Sequence, residues 1–265
     1  MRSSRRFEDK VVIVTGAAQG IGRGVAMAVA EEGGAVIAVD RSPLVHAVVA
    51  EIIAERGNAA PFEADLETFA GAQAMVQEAI KRFKRVDVLI NNVGGTIWTK
   101  PFDQYGEEEI EKEIRRSLFP TLWSCRAVLP FMVKRKQGTI VNVSSVATRS
   151  IYRVPYAAAK GGVNALTASI AMEQAGNGIR INATAPGGTD APPRKVPRSV
   201  GTSAAKPTAK EKAWYQGIVD QTRESSLMHR YGTIAEQVAP ILFFASDESS
   251  YITGSVLHVG GGDLG

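Results

Sequence analysis

The chain has 265 residues, 45% of them hydrophobic, enough to bury the core of one α/β domain and short for two. A formal charge of +4, with basic clusters only at Arg5-Arg6, Lys134-Arg135-Lys136 and Arg194-Lys195, supplies no long basic arm of the kind that binds nucleic acid. Cys125 is the sole cysteine, which excludes intramolecular disulfides and cysteine-pair zinc sites and fits a reducing cytoplasm. The basic stretch Met1 to Arg6 leads at once into charged residues, and the chain nowhere holds the run of ~18 apolar residues that a membrane helix needs. An unexported, cytoplasmic protein with no membrane partner, no nucleic-acid partner and no metal is expected.

In chain order, Val11 to Val14 is a continuous β-branched run closed by Thr15-Gly16, which predicts a strand covered on both faces. Similar runs follow at Ala35 to Val39, Val86 to Ile90, Thr139 to Val143, Arg180 to Thr184 and Val256 to Val259. The stretches between them, such as Ile21 to Glu32 and Ala70 to Phe83, are long enough for crossover helices. The β-α-β order predicts a single-domain (1–265), doubly wound parallel sheet of Rossmann type with helices on both faces. Asp190 to Tyr215 breaks the rhythm with four prolines and no early apolar period. A solvated surface insertion would look the same. Its position after a strand's carboxyl end favours a lid over the substrate, here expected to span about residues 190–230.

Gly16-Ala-Ala-Gln19-Gly20-Ile21-Gly22 follows the first predicted strand and opens the first predicted helix. Glycines allow a sharp turn and close approach to a pyrophosphate, and a helix N-terminus offers unpaired N–H groups. An ordinary Gly-rich turn would carry the same residues, and the spacing is Gly-x-x-x-Gly-x-Gly rather than the commoner Gly-x-Gly-x-x-Gly. The second strand ends at Asp40, close to the ~20-residue distance at which an acid meets the adenosine ribose. An Asp there accepts from ribose hydroxyls and repels a 2′-phosphate, favouring NAD over NADP; Arg41 beside it is a cation that could accept that phosphate.

Tyr156-Ala-Ala-Ala-Lys160 puts a phenol and an ammonium on one helix face with only small residues between. An ammonium and a cationic nicotinamide both favour phenolate, so Tyr156 can take an alcohol proton as hydride leaves carbon. Asn142-Val-Ser144-Ser145 ends a strand, where a serine hydroxyl can hydrogen-bond the reacting oxygen. A Tyr-x-x-x-Lys pair alone is more often a solvated helix face.

Thr15-Gly16-x-x-x-Gly20-x-Gly22, Asp65-Leu66, Asn91-Asn92-Val93-Gly94, Ser144-Ser145, Tyr156-x-x-x-Lys160 and Pro186-Gly187 occur in the order found in the short-chain dehydrogenase/reductase family. The chain resembles that family from about Phe7 to Gly262. The resemblance implies that Tyr156 is the acid/base, Lys160 its partner and a contact to the nicotinamide ribose, and Ser145 the substrate-orienting serine, with Ser144 structural. It implies cofactor contacts from the glycine loop, Asp65, Leu66, Asn92, Gly94, Pro186 and Thr189, and stabilisation of the central sheet by Asn91-Asn92. It also implies a homodimer or homotetramer packed through helices around Ala72 to Phe83, Glu111 to Met132 and Tyr156 to Glu173. Three positions depart from the family pattern. Ser117 stands where an Asn usually holds a relay water, Gly260 where an acid is common, and Ala191 where a Thr is usual.

Within the family, Gly94-Gly95-Thr96-Ile97-Trp98, Ala185 to Lys195 and the ending Val259 to Gly265 look most like the benzoate diol dehydrogenase branch. That likeness implies NAD-dependent oxidation of a cyclic cis-diol carboxylate to catechol with loss of carbon dioxide. A carboxylate needs a cation, and a guanidinium grips it in bidentate fashion. Arg149, Arg153 and Arg194 are the candidates, while Trp98 and Trp214 are expected to wall an apolar ring pocket. Two other readings stay open: a 3-oxoacyl carrier-protein reductase or other short-chain alcohol dehydrogenase, which Asp40 and the lid sequence disfavour, and a dinucleotide sensor without turnover, which Tyr156, Lys160 and the serines disfavour.

Overall fold

A computed structural model of the protein describes residues 5–196 and 208–265. Seven parallel strands form one sheet: β1 (Val11–Thr15), β2 (Ala35–Asp40), β3 (Asn58–Glu63), β4 (Val88–Asn91), β5 (Gly138–Val143), β6 (Ile179–Pro186) and β9 (Val256–Val259), in the order β3-β2-β1-β4-β5-β6-β9. Strand order reverses between β1 and β4, and that switch point is where an open α/β sheet leaves a crevice at its carboxyl edge.

The β-branched residues of β1 alternate between two cores. Val12 and Val14 join the cluster under α1 (Gly20–Glu31), α2 (Leu44–Ala54) and α7 (Ile234–Ala245), while Ile13 joins the one under α3 (Phe69–Phe83), α4 (Glu107–Arg135) and α5 (Val154–Gln174). Burial on both faces is why these strands are continuous apolar runs rather than alternating ones. Side-chain caps start several helices. Thr68 accepts the Gly71 amide at α3, and Thr233 with Glu236 forms a capping box at α7.

Two expectations are corrected. β3 was absent from the expected strands because Asn58-Ala-Ala-Pro-Phe-Glu63 is neither a β-branched run nor free of proline; as an edge strand it tolerates Pro61. The stretch read as irregular up to Tyr215 is helical from residue 209, in α6 (Ala209–Ser225), started by a capping box between Thr208 and Glu211. Before it, β7 (Thr189–Asp190) pairs with β8 (Gly232–Thr233). The lid expected over 190–230 falls in part on residues 197–207, outside the described residues. Among the described residues, no helix is long and apolar enough to cross a membrane.

Candidate active site

A cavity of about 790 Å³ runs along the carboxyl edge of the sheet, from Asp40 and Leu66 past the glycine loop to Ser145, Tyr156 and the inner face of α6. The loop after β1 is shaped by its glycines. Gly16 and Gly20 adopt φ of +66° and +59°, and a Cβ at Gly22 would collide with the Gly16 carbonyl and the Asn92 amide. Gly16, Gln19, Gly20 and Ile21 line the cavity, whereas Gly22 serves the close packing behind it. Asn92 ties the loop to β4, its Nδ2 donating to the Thr15 and Gly16 carbonyls at 3.1 and 3.3 Å.

The N-terminus of α1 carries no side-chain cap and no acid in its first turn. Its amides are therefore left to face the cavity, as an anionic diphosphate requires. Asp40 lies at the end of β2, held by the Ala18 amide (3.2 Å) on one oxygen and the Ser42 amide (3.0 Å) on the other. Asp65, Leu66, Arg41, Gly94, Pro186 and Thr189 also line the cavity. An uncapped helix end, glycines drawn back from the space in front of it and a carboxylate some way along the crevice together fit a dinucleotide.

At the other end, α5 brings Tyr156 and Lys160 to the cavity wall, with Lys160 Nζ 5.9 Å from the centre of the Tyr156 ring. Lys160 is buried and donates to the Val143 carbonyl at 2.7 Å. Burial pulls its pKa below the ordinary lysine value; Tyr156 works against that shift and Arg116 adds to it. Gly94 leaves room for this ammonium, since a Cβ there would sit 3.1 Å from Nζ.

The two serines separate by their bonds. Ser144 Oγ turns into α5, on Asn164 Oδ1 (2.6 Å) and the Lys160 carbonyl (3.3 Å). Ser145 Oγ accepts the Ala147 amide at 3.1 Å and, among the described residues, otherwise reaches only the Pro186 carbonyl, at 3.5 Å, on a residue that lines the cavity. Asn91 donates across the sheet to Asn142 Oδ1 at 2.9 Å, and Asn142 donates on to Thr167 at 2.9 Å, so this pair braces β4 and β5 beneath the site. Ser117 is fully buried with its hydroxyl accepting the Gly95 amide at 3.3 Å; it is not among the residues that line the cavity.

The expected substrate cations separate as well. Arg153 lines the cavity with its guanidinium carbon 5.9 Å from the Tyr156 ring centre, anchored through Nε to Ser150 Oγ at 2.7 Å. Arg194 also lines the cavity but sits next to Lys195, whose amide donates to Gln19 Oε1 at 2.9 Å, and so belongs to the glycine-loop end. Arg149 is exposed and outside the lining. Trp98 and Trp214 are not lining residues either. The Trp98 backbone is held by Glu113 and Tyr105, and Trp214 stacks near Tyr152 with ring centres 6.3 Å apart. The ring pocket is walled instead by α6, through Tyr215, Ile218, Val219 and Thr222, with Tyr231 beyond it.

Sequence reasoning passed over those α6 residues, although their i, i+3, i+4, i+7 spacing is a helical stripe. It also passed over Glu113, fully buried on α4, which accepts the Ile97 and Trp98 amides at 2.6 and 2.8 Å and pins the loop beside the site. Tyr105 completes that clamp by donating to the Trp98 and Tyr152 carbonyls at 2.8 and 3.3 Å. Burial, then the Glu113 and Glu109 carboxylates, push its phenol well above the usual range, so it stays a donor.

Residues 10–199 match the short chain dehydrogenase family. The chain belongs to that family. This short-chain dehydrogenase is 64% identical to the 1,6-dihydroxycyclohexa-2,4-diene-1-carboxylate dehydrogenase of Acinetobacter baylyi, with all of both chains aligned. It is 59% identical to the enzyme of the same name from Pseudomonas putida, over 99% of this chain and 95% of that one. Among solved structures it is similar to a 3-oxoacyl-[acyl-carrier protein] reductase with bound NAD from Brucella melitensis, with a TM-score of 0.83 at 27% identity, covering 100% of this chain and 94% of that chain. It is therefore an oxidoreductase acting on a CH–OH group with a nicotinamide dinucleotide.

Proposed function

We propose that this dehydrogenase oxidises 1,6-dihydroxycyclohexa-2,4-diene-1-carboxylate to catechol and carbon dioxide with NAD. The observation that carries the reading is the Arg153 guanidinium beside Tyr156 in one cavity, in a chain 64% identical over its whole length to a dehydrogenase named for that substrate. Asp40, with a carboxylate where a 2′-phosphate would have to lie, supports NAD over NADP.

The bound dinucleotide would be held by the glycine loop and α1, by Asp40 at the adenosine ribose, by Asp65 and Leu66 at the adenine, and by Lys160, Pro186 and Thr189 near the nicotinamide. When bound it supplies the hydride acceptor. The rest is done by side chains. Arg153 grips the substrate carboxylate and turns the ring so that the hydroxyl on the neighbouring carbon meets Tyr156 and Ser145. Ser145 hydrogen-bonds that oxygen, and Tyr156 takes its proton. Lys160, held by the Val143 carbonyl, places a positive charge beside the phenol and favours its ionised form.

The oxidised product is a β-keto acid. Its C–CO₂ bond breaks and carbon dioxide leaves; the electron pair becomes the ring double bond that completes the aromatic ring, the negative charge passes to the former keto oxygen, and a proton there gives catechol. The enzyme needs to catalyse only the first step, because aromatisation drives the second. The inner face of α6 forms the cover over this end of the cavity.

Apolar side chains exposed on α4 and α5, Phe131 and Met172, support assembly as a homodimer or homotetramer, which analytical ultracentrifugation tests. A cytoplasmic location completes the reading. The test of function is a panel of cis-dihydrodiols with and without the carboxylate, each with NAD and NADP. The carboxylate diol with NAD is expected to be fastest. Arg153→Met should then lower kcat/KM for the carboxylate diol by roughly 10- to 150-fold, the value of charged hydrogen bonds worth about 1.5–3 kcal/mol. Equal turnover of carboxylate-free diols by the unaltered enzyme would refute this substrate.

A further inference from the structure

Beyond Asp40, the adenosine end of the cavity holds a charge cluster that neither the motifs nor the reaction accounts for. Arg41, the residue after Asp40, and Arg116, on α4, both line the cavity. Both guanidiniums converge on one oxygen of Glu67, Arg41 Nη1 at 3.6 Å and Arg116 Nη1 at 3.4 Å from Oε1. Glu67 follows Asp65-Leu66 in the loop before α3, where its amide donates to Asp65 Oδ1 at 3.0 Å and so fixes the loop that presents it. The three side chains are 19%, 12% and 20% exposed, which leaves them only partly screened by solvent.

Two guanidiniums beside a ribose hydroxyl are what a 2′-phosphate needs, and Arg binds phosphate through paired N–H donors. Here each is already engaged with a carboxylate. Asp40, Glu67, Arg41 and Arg116 together carry two negative and two positive charges, so the cluster is neutral with a ribose hydroxyl in place. A 2′-phosphate would leave it strongly anionic.

We propose that Glu67 is a positioning residue for cofactor choice: it occupies Arg41 and Arg116 and so withholds from a 2′-phosphate the cations that would bind it. The proposal rests on the reading that the cofactor is NAD. In it, Asp40 repels the phosphate and Glu67 removes its ligands, two separable contributions. Arg116 is suited to the role, because its Nε is buried without a hydrogen-bond partner among the described residues. Burial and the neighbouring Arg41 charge disfavour its cationic form, so an added anion would be welcome there.

The test compares binding of adenosine 2′,5′-bisphosphate and adenosine 5′-monophosphate by calorimetry, together with kcat/KM for NADP and NAD. It uses the wild-type chain, Glu67→Gln, Glu67→Asp and Glu67→Gln/Arg116→Met. Glu67→Gln is expected to shift the ratio of the two dissociation constants at least ~10-fold toward the bisphosphate, about the value of one charged hydrogen bond. The NADP to NAD ratio of kcat/KM should move in the same direction. Glu67→Asp should retain most of the wild-type ratio, and adding Arg116→Met should cancel the gain. A NAD-selective wild type whose ratio does not change in Glu67→Gln overturns the role of Glu67 alone. A wild type that binds and uses NADP as well as NAD overturns the NAD reading, and this proposal with it.

Discussion

The two ends of the sheet each carry a hollow and each bury charge, yet only one is built to meet a ligand. At the amino ends of the strands a hollow of about 610 Å³ is lined by Lys10, Asp87 and Arg180. Its charges are consumed by the protein itself. Asp87 accepts the Val11 amide at 2.8 Å and pairs with Arg85 and Arg135 at 2.7 and 3.1 Å. The Arg180 guanidinium donates to the Ser246 carbonyl and the Ser249 hydroxyl, both at 2.8 Å, and Lys10 pairs with Asp247 at 3.1 Å. At the carboxyl ends, Ser145 is bound only loosely beyond one amide, α1 begins uncapped, and Tyr156 has two cations each 5.9 Å from its ring centre. A hollow becomes a site when its polar groups have bonding capacity left over, and volume alone does not distinguish the two.

Four substitutions sharpen or break this contrast. The largest effect is expected from Tyr156→Phe, which removes the proton acceptor and keeps the ring: kcat should fall roughly 10²- to 10⁴-fold while dinucleotide binding, read by fluorescence titration, changes little. Near-normal turnover would remove Tyr156 from the chemistry. Next comes Ser145→Ala, expected to lower kcat by about 10²-fold, as loss of one donor to the reacting oxygen should, with at most the modest loss of stability that an unpaired Ala147 amide brings. Ser144→Ala should instead lower the melting temperature, because its hydroxyl is buried against Asn164. The reverse pattern would exchange the two roles.

The smallest kinetic effect belongs to the opposite end. Asp87→Asn should leave the kinetics of the folded enzyme intact while costing about 1–3 kcal/mol of stability. Burial by itself would raise the Asp87 pKa, but the Arg85 hydrogen bond, the Val11 amide and Arg135 more than offset it and hold the carboxyl below its ordinary value. Its contribution to stability is therefore complete above the unfolded carboxylate pKa and is lost as pH falls through the lower folded value. Denaturant midpoints measured down through acidic pH should converge for wild type and Asp87→Asn. Parallel curves would show that the Asp87 charge does not stabilise the fold.

Much of the carboxyl end was legible in the sequence because its residues are close together in the chain. The glycine loop lies within seven residues, and Tyr156 and Lys160 share one helix turn, so local geometry alone places them. The strands of the sheet's interior could be read for a related reason, since burial on both faces writes a continuous apolar run. β3 escaped because an edge strand need not be apolar throughout and tolerates Pro61. α6 escaped because the proline-rich, polar stretch before it masked its beginning, although Thr208-x-x-Glu211 marks its start and Tyr215 to Thr222 its inner stripe. What pattern cannot reveal is convergence across the chain. Arg153 and Arg149 are equivalent in sequence, and only packing puts one beside Tyr156 and the other in solvent. The convergence of Arg41 and Arg116 on Glu67 is likewise a tertiary fact.

The most direct measurement is the stoichiometry of one reaction: purified enzyme, NAD and 1,6-dihydroxycyclohexa-2,4-diene-1-carboxylate, with reduced cofactor followed by absorbance and catechol and carbon dioxide quantified in the same sample. The structure and its relatives predict equal amounts of all three. Absence of reduced cofactor with this diol, or reduced cofactor without catechol, would contradict the account.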